Sequence, residues 1–170
     1  AITEGGIQVN KNGHRFSNEN QGYSEQALNV VRQLDHVAWT VWDQRCEDVA
    51  TQMHSHQEAT KANAIKKFNN VTELAGYIGC NTEKLQETLH LVERSCLGEL
   101  QDNFGRDFTK KPPLEPPYYA AKIQGSLFHT QGGLEVDRRA RVLRENGQPF
   151  PNLFAGGGAA RGFSGPADWG

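Results

Sequence analysis

The sequence predicts an α+β fold, because its strand-like and helical patterns occupy separate parts of the chain instead of alternating. Residues 6–10 and several stretches after residue 118 alternate between polar and apolar side chains, as strands do. Between these two ends, apolar residues recur at helical spacing. We therefore expect a helical domain between a strand-rich N-terminal segment and a β-rich return segment, with boundaries at residues 1–22, 23–117 and 118–170.

The N-terminal part is expected to contain a hairpin, a helix and a buried strand. The Asn-Gly pair at residues 12–13 favours a tight turn between residues 6–10 and a second strand at residues 15–16. Residues 36–42 are apolar enough on both sides to form a largely buried strand. The helix is expected to begin at Tyr23, because four apolar residues follow at helical spacing, namely Ala27, Val30, Val31 and Leu34.

Two short helices are expected next. Asp43 can cap the first, because its carboxylate can accept hydrogen bonds from the free amides of the first turn. Ser55 and Glu58 have the spacing of a capping box, which predicts a second helix with Ala59 and Ala62 as its small apolar face.

Two longer helices are expected at residues 72–78 and 82–96. Gly79 and Gly98 follow them, as glycine commonly does at a helix C terminus. The proline-rich residues 112–117 then exclude helix and bring the chain, extended, to its last third.

The last third is expected to be rich in strands, at residues 118–123, 133–136 and 141–144. An Asn-Gly pair at residues 146–147 predicts a second tight turn. Tyr118 and Tyr119 are interpreted as packing residues, with a substrate contact by one of them as the alternative.

Two sets of charged residues are interpreted as structural. Arg15 and Glu19 have a spacing across a turn that suits an internal ion pair or contacts with the backbone. The arginines in residues 138–144 are flanked by Glu135, Asp137 and Glu145, so we expect a solvated, salt-bridged face.

The composition excludes several classes of function. With 36% hydrophobic residues, a mean hydropathy of −0.67 and a net charge of −2, the chain offers no broad basic field for nucleic acid. No apolar run approaches the ~20 residues that a membrane span requires. Cys46, Cys80 and Cys96 lack metal-site spacing, and His54 and His56 lie in a polar stretch, so we expect reduced thiols and no metal.

The ends of the sequence suggest a piece of a larger protein. Ala1 is not an initiator methionine, and a strand pattern begins within a few residues of it. The sequence also stops just after a glycine loop. We expect the parent protein to be longer.

Two glycine-rich junctions suggest one shared ligand. His129 and Thr130 precede Gly132 and Gly133, which open a short strand. Because glycine has no Cβ, a flat ligand can approach its main chain closely. A similar junction follows the apolar run at residues 153–155 and contains Gly156, Gly157 and Gly158.

Four motifs follow one another along nearly the whole chain. They are Gly13-x-Arg15-Phe16-x-Asn18-Glu19, Pro117-Tyr118-Tyr119-Ala120, His129-Thr130-x-Gly132-Gly133-Leu134-x-Val136-Asp137 and Pro151-Asn152-Leu153-Phe154-Ala155-Gly156-Gly157. Their order and separation resemble the fumarate reductase/succinate dehydrogenase flavoprotein family. Its soluble, FAD-dependent members include fumarate and urocanate reductases and ketosteroid dehydrogenases.

The resemblance implies that the chain comprises a substrate-binding capping domain and adjoining strands of an FAD domain. It implies FAD as cofactor, held mostly by the rest of the parent flavoprotein. By the same matching, Thr130, Gly132, Gly133 and the loop 156–158 would lie against the flavin. His129 matches the family's substrate-anchoring histidine, and Thr130 would contact the substrate beside it.

The reaction implied by the resemblance is hydride transfer between flavin and an activated C=C or CH–CH bond of a small unsaturated acid or ketone. Tyr23 occupies the position where fumarate reductases carry a proton-donating arginine. A neutral phenol is a different partner for a dicarboxylate, so a ketone or a less charged acid is the better expected substrate. Tyr23 can alternatively cap or pack its own helix.

A second hypothesis is a non-catalytic module that binds a small ligand or a partner protein on the same scaffold. Tyr23 in place of arginine motivates it, as does the lack of a nucleotide-binding motif, since Gly156-x-Gly158-x-x-Arg161 departs from Gly-x-Gly-x-x-Gly at its last position. The electron partner and the compartment stay open, with the cytoplasm preferred over the periplasm.

Overall fold

The structure is a computed structural model that describes residues 1–126 and 132–161. The chain divides into two compact units, residues 1–125 and 126–170. The helices are α1 (Tyr23–Val31), α2 (Gln44–Ala50), α3 (His54–Lys61), α4 (Val71–Ile78) and α5 (Thr82–Cys96). The strands are β1 (Ile7–Val9), β2 (Val37–Asp43), β3 (Ile65–Phe68), β4 (Tyr118–Gln124), β5 (Arg141–Leu143) and β6 (Pro149–Phe154).

The first unit is built on a four-stranded antiparallel sheet with the order β1-β2-β4-β3. Its central strands β2 and β4 pair along their whole length, with Trp39 opposite Lys122 and Trp42 opposite Tyr119. The sheet is antiparallel and packs against helices, which confirms the predicted α+β class. The expected separation of strands from helices along the chain is wrong, because β2 and β3 lie between helices. The division at residues 22 and 117 stays a prediction, and β4 belongs to the same sheet as β2 and β3.

Two clusters of buried side chains flank this sheet. The larger one joins one side of β2 to α4 and α5, with Trp39, Leu74 and Leu85 among its members. The smaller one contains Trp42, Cys46 and Tyr119. The two sides of β2 are thus both buried, as predicted from its apolar residues.

The predicted N-terminal hairpin is wrong. The turn forms, with Gly13 at φ 80° and the amide of Asn10 donating to the carbonyl of His14 at 2.9 Å. However, β1 pairs with β2, and residues 15–16 do not form the predicted strand. The reason is that the turn packs on α5, where the Thr88 hydroxyl donates to the carbonyl of Gly13 at 2.7 Å.

The cap predicted for α2 is confirmed, because the amide of Cys46 donates to Asp43 Oδ1 at 2.9 Å. The capping box predicted for α3 is wrong. That helix begins at His54, is preceded by Met53 without a side-chain cap, and contains Ser55. A tertiary contact replaces the local one, since His56 Nε2 lies 3.0 Å from Glu47 Oε1 on α2.

The two longer helices are confirmed. Asn70 and Asn81 cap them by accepting amide hydrogen bonds at 2.9 and 3.0 Å, and Gly79 ends α4 at φ 80°. Strand β3 was not predicted, because its sequence Ile-Lys-Lys-Phe has no clear alternation. Its pairing with β4 decides its structure.

The second unit contains the β5–β6 hairpin that the Asn-Gly pair predicts. Gly147 has φ 79°, and its amide donates to the carbonyl of Arg144 at 2.8 Å. The strand predicted at residues 133–136 is reduced to two isolated bridges, Leu134 with Ala160 and Val136 with Val142. Extended segments this short bury little, and Leu134 is 49% exposed.

In the first unit, the predicted packing role of the two tyrosines and the predicted ion pair are both confirmed. Tyr118 and Tyr119 are buried, and the Tyr119 ring stacks on Trp42 at a centroid distance of 6.3 Å. Arg15 and Glu19 form the predicted internal ion pair, with Nε 2.7 Å from Oε1. In the second unit, Arg141 pairs with Asp137 at 2.7 Å, which supports the predicted salt-bridged face.

A buried network of four charged side chains extends from this pair. Arg106 Nη1 donates to Glu19 Oε2 at 2.9 Å, and Arg15 also contacts Asp102. Their side chains are at most 7% exposed. Burial alone would lower the pKa of Arg15, but hydrogen bonds to Glu19 and Asp102 outweigh it and raise this pKa above its usual value. Arg15 is therefore charged in the folded protein.

We predict that Arg106→Met lowers the free energy of unfolding by about 3–5 kcal/mol, because it leaves the Glu19 carboxylate buried with one cation fewer. Urea unfolding measures this value. Lys84→Gln is the matched control, since Lys84 pairs with Glu87 on the exposed surface of α5 and its loss should cost less than about 1 kcal/mol. Equal, small effects of both changes would contradict the structural role of the network.

Candidate functional site

The second unit brings the two predicted glycine junctions together. The amide of Leu134 donates to the carbonyl of Ala159 at 3.0 Å, and the amide of Arg161 donates to the carbonyl of Leu134 at 2.9 Å. Gly133 precedes one side of this bridge, and Gly158 precedes the other. The two junctions are therefore adjacent in the second unit, and the one ligand that they are expected to share stays a prediction.

Gly133 is required for this close approach. A Cβ at this position would lie 2.5 Å from the carbonyl carbon of Ala160 and 2.7 Å from the amide nitrogen of Arg161. Backbone atoms cannot move aside as the end of a flexible side chain can. Gly133 therefore has a structural role, whatever else it contacts.

The loop at residues 156–158, unlike Gly133, has open space around its glycines. All three glycines are exposed, and within the described part of the chain a Cβ at any of them would meet no heavy atom within 4 Å. Gly157 has φ 55° and begins a short 3₁₀ helix, Gly157–Ala159. The backbone here is open to a ligand from outside.

A charged pair borders the glycine junction. Arg161 Nη1 donates to Glu135 Oε1 at 2.6 Å, and both side chains are more than 60% exposed. Arg161 is the residue that interrupts the Gly-x-Gly-x-x-Gly pattern, and the structure gives it this partner on the opposite side of the bridge. The sequence contains no local signal for the pair, because 26 residues separate its members.

Two of the predicted site residues cannot be placed. His129 and Thr130 lie outside the described residues. Gly132 is described and exposed. The predicted substrate contact by His129 and Thr130, and their place beside the flavin, therefore stay predictions.

Tyr23 lies in the first unit, at the first position of α1. Its side chain is 99% exposed, so it does not pack on its own helix or on the rest of this unit. The residue before it, Gly22, is the N-cap and provides no side-chain cap. Tyr23 is thus presented to the surroundings, and its predicted proton-transfer role stays a prediction.

A buried chain of hydrogen bonds anchors α1 one turn after Tyr23. The Ser17 hydroxyl donates to Gln26 Oε1 at 2.8 Å, and Gln26 Nε2 donates to Gln8 Oε1 at 2.5 Å. Gln8 Nε2 in turn donates to Thr40 Oγ1 at 3.4 Å. We did not predict this chain, because a glutamine in an amphipathic helix is ordinarily expected on the polar, exposed face.

The cysteines are poor candidates for nucleophiles. All three are free. Burial, and secondly the neighbouring Asp43, raises the pKa of the Cys46 thiol to about 11. Burial also raises the pKa of Cys80 and of Cys96. The thiolate form that reacts with electrophiles is therefore scarce at neutral pH.

Within residues 1–126 and 132–161, no three His, Cys, Asp or Glu side chains are grouped closely enough to hold a metal ion. His56 is engaged with Glu47, as described above. None of the helices that the structure describes is both long and apolar enough to cross a membrane.

Comparison with known proteins gives the family. The family model described as "FAD binding domain" matches residues 1–168. The chain belongs to this family. This confirms the family predicted from the four motifs, and the open glycine loop at residues 156–158 fits a backbone contact with FAD. Both sheets in the described part of the chain are antiparallel. That part therefore contains no parallel βαβ unit of the kind that binds the nucleotide end of FAD.

Two curated relatives represent the chemistry found among similar proteins. A fumarate reductase of Schizosaccharomyces pombe is 28% identical over 164 residues, which cover 95% of this chain and 31% of the relative. A 3-oxosteroid 1-dehydrogenase of Mycobacterium tuberculosis is 27% identical over 185 residues, which cover 90% of this chain and 33% of the relative. The chain spans about a third of the length of these relatives.

A solved structure agrees with this assignment. The open conformation of a flavocytochrome c3 fumarate reductase superposes with a TM-score of 0.68 and 25% sequence identity. The match covers 94% of this chain and 28% of that chain. The FAD-binding-domain fold described above is therefore shared over nearly all of the chain.

We predict that Gly133→Ala opens the glycine junction, because the new methyl group overlaps the backbone at Ala160. Amide hydrogen exchange at Leu134 and Arg161 should become faster, and the free energy of local opening should fall by about 1–3 kcal/mol. Gly156→Ala is the matched control: Gly156 has extended backbone angles and open space around it, so exchange at both amides should not change. Slow exchange retained in Gly133→Ala would show that the junction tolerates a side chain.

Proposed function

We propose that this chain is the substrate-binding portion of an FAD-dependent oxidoreductase. The parent enzyme would transfer a hydride between flavin and an activated C=C or CH–CH bond of a small unsaturated acid or ketone. The observation that carries the proposal is the family match over residues 1–168, together with the open glycine loop in the second unit. The relatives, a fumarate reductase and a 3-oxosteroid 1-dehydrogenase, support both substrate classes.

The cofactor contact is assigned to backbone. FAD, when bound, supplies the hydride chemistry, which protein side chains cannot provide. We propose that Gly132, Gly133, the loop 156–158 and Thr130 hold it from this chain, with most of its binding made by the rest of the parent flavoprotein. The bridge between Leu134 and Ala160 fixes the spacing of the two glycine segments.

The substrate contact is assigned to His129 and Thr130. An imidazole N–H and a hydroxyl can donate to a carboxylate or carbonyl oxygen, which orients the substrate and polarises the bond to be reduced or oxidised. His129 precedes the glycine segment by a few residues, so substrate and cofactor contacts would be adjacent in the chain.

Tyr23 is proposed as the residue that handles a proton at the neighbouring substrate carbon. Its exposure at the start of α1 leaves the phenol free to meet a substrate, and Gln26 holds the helix beneath it. Because a phenol carries no positive charge, it compensates a dicarboxylate poorly. A ketone or a less charged acid is therefore the proposed substrate, in preference to fumarate.

We propose residues 23–117 as the capping domain and residues 118–170 as the return segment towards the cofactor. The segmentation is supported by the helices α1 to α5, which all lie in residues 23–117. The second hypothesis, a non-catalytic binding module, rests on Tyr23 standing where fumarate reductases have arginine. Oxidation of the reduced protein by an unsaturated acceptor would exclude that module.

We predict that His129→Ala in the full-length protein lowers the rate at which an unsaturated acid or ketone reoxidises the reduced flavin by about 10²–10⁴-fold, because the substrate loses its anchor. Anaerobic stopped-flow absorbance measures the rate for a panel of acceptors. Flavin content should be unchanged.

His90→Ala is the matched control, since His90 lies on the exposed surface of α5 beside Glu93, at 3.2 Å. It should react at the wild-type rate. An unchanged rate in His129→Ala would remove this histidine from the mechanism.

A further inference from the structure

A small cleft in the first unit has no part in the proposed oxidoreductase site. It has a volume of about 280 Å³ and lies at the end of the sheet that carries β2 and β4. Its walls include two lysines, two aromatic residues and one aspartate, namely Lys11, Lys122, Trp39, Tyr77 and Asp35. We refer to it as the lysine cleft.

The fold creates this cleft from residues that are far apart in sequence. Trp39 and Lys122 are partners across the β2–β4 ladder, so their side chains lie on the same face of the sheet. Lys122 Nζ lies 5.8 Å from the centroid of the Trp39 ring. Tyr77, in the last turn of α4, provides a second aromatic surface and is 37% exposed.

The charge in the cleft is unbalanced. Lys11 Nζ pairs with Asp35 Oδ2 at 2.6 Å. Lys122 has no carboxylate within 4.0 Å among the residues that the structure describes. The hydrogen bond and charge of Lys11, and then the charge of Lys122, lower the pKa of Asp35, so the carboxylate stays ionised. Two ammonium groups thus face one carboxylate, which leaves one positive charge.

The segment that supplies Asp35 is strained. Asp35 and His36 both adopt left-handed backbone angles, with φ 58° and 57°. Two successive non-glycine residues in this region are energetically unfavourable, and such strain concentrates at binding and catalytic sites. Here the turn directs Asp35 towards Lys11 and is held by His36, whose Nδ1 lies 2.5 Å from the carbonyl oxygen of Val31.

We propose that the lysine cleft binds a small planar anion of the aromatic monocarboxylate class. The single excess positive charge matches one carboxylate, which would lie between Lys11 and Lys122. The ring of the ligand would lie against the aromatic surface of Tyr77. The volume is below the range of about 300–1,000 Å³ that is typical of pockets for drug-sized ligands, and it suits one ring with one carboxylate.

This inference does not depend on the proposed oxidoreductase function. None of the residues assigned above to substrate or FAD lines the cleft. The ligand would bind at a second site, and loss of binding there would leave the assignment of His129 and Tyr23 unaffected.

Benzoate is the probe, titrated into the full-length protein by isothermal calorimetry. We expect a dissociation constant in the millimolar range or below, and at least a tenfold increase in Lys122→Gln. Lys110→Gln is the matched control, because its side chain is 84% exposed and lies outside the cleft. Lys11→Gln serves as a second variant of the cleft, and circular dichroism verifies the fold of each protein.

Four results would overturn the proposal. The first is that benzoate does not bind at concentrations up to about 10 mM. The second is that benzoate binds Lys122→Gln and Lys11→Gln as tightly as it binds the wild type. Binding is lost in His129→Ala but not in the lysine variants, which would place benzoate at the proposed substrate site. Inorganic phosphate binds the cleft as tightly as benzoate, which would exclude the planar class.

Discussion

The carboxylate of Glu19 connects three segments that are far apart in the chain. It accepts hydrogen bonds from the backbone of Gln8 in β1, from Arg15 in the following turn and from Arg106 in the loop after α5. Arg106 also donates to the carbonyls of Gly6 and Ile2, so the segment that precedes β1 is held as well. A buried carboxylate is stable only with such partners. The edge position of β1 and the path of residues 10–22 depend on this group.

The hydrogen-bond network around Glu19 also supports helix α1, which carries the proposed site residue Tyr23. Gln8, whose amide contacts Glu19, also accepts from Gln26 through its side chain. Gln26 in turn ties α1 to Ser17, and α1 begins with the exposed Tyr23. The buried polar groups thus fix the start of a helix whose first side chain is directed outward. A residue proposed to move a proton benefits from such a rigid support, because proton transfer depends on a well-defined geometry.

Local signals in the sequence predicted local structure well. The helix at residues 82–96 and the cap by Asp43 depend on neighbours within one turn, and both are confirmed. The hairpin at residues 12–13 and the capping box at Ser55 were wrong, because contacts with α5 and Glu47 override the local preference. The close approach of Gly133 to Ala160 and the pairing of Glu19 with Arg106 join distant residues, which spacing alone does not indicate. The motif order, in contrast, was sufficient for the family.

The most direct test of the account is the visible absorption spectrum of the purified full-length protein before and after reduction with dithionite. An enzyme that uses FAD for hydride transfer should show bands near ~450 nm that bleach on reduction. The account predicts these bands, either as purified or after addition of FAD. A featureless spectrum that FAD cannot restore would contradict the proposed oxidoreductase and leave the non-catalytic binding module as the better description.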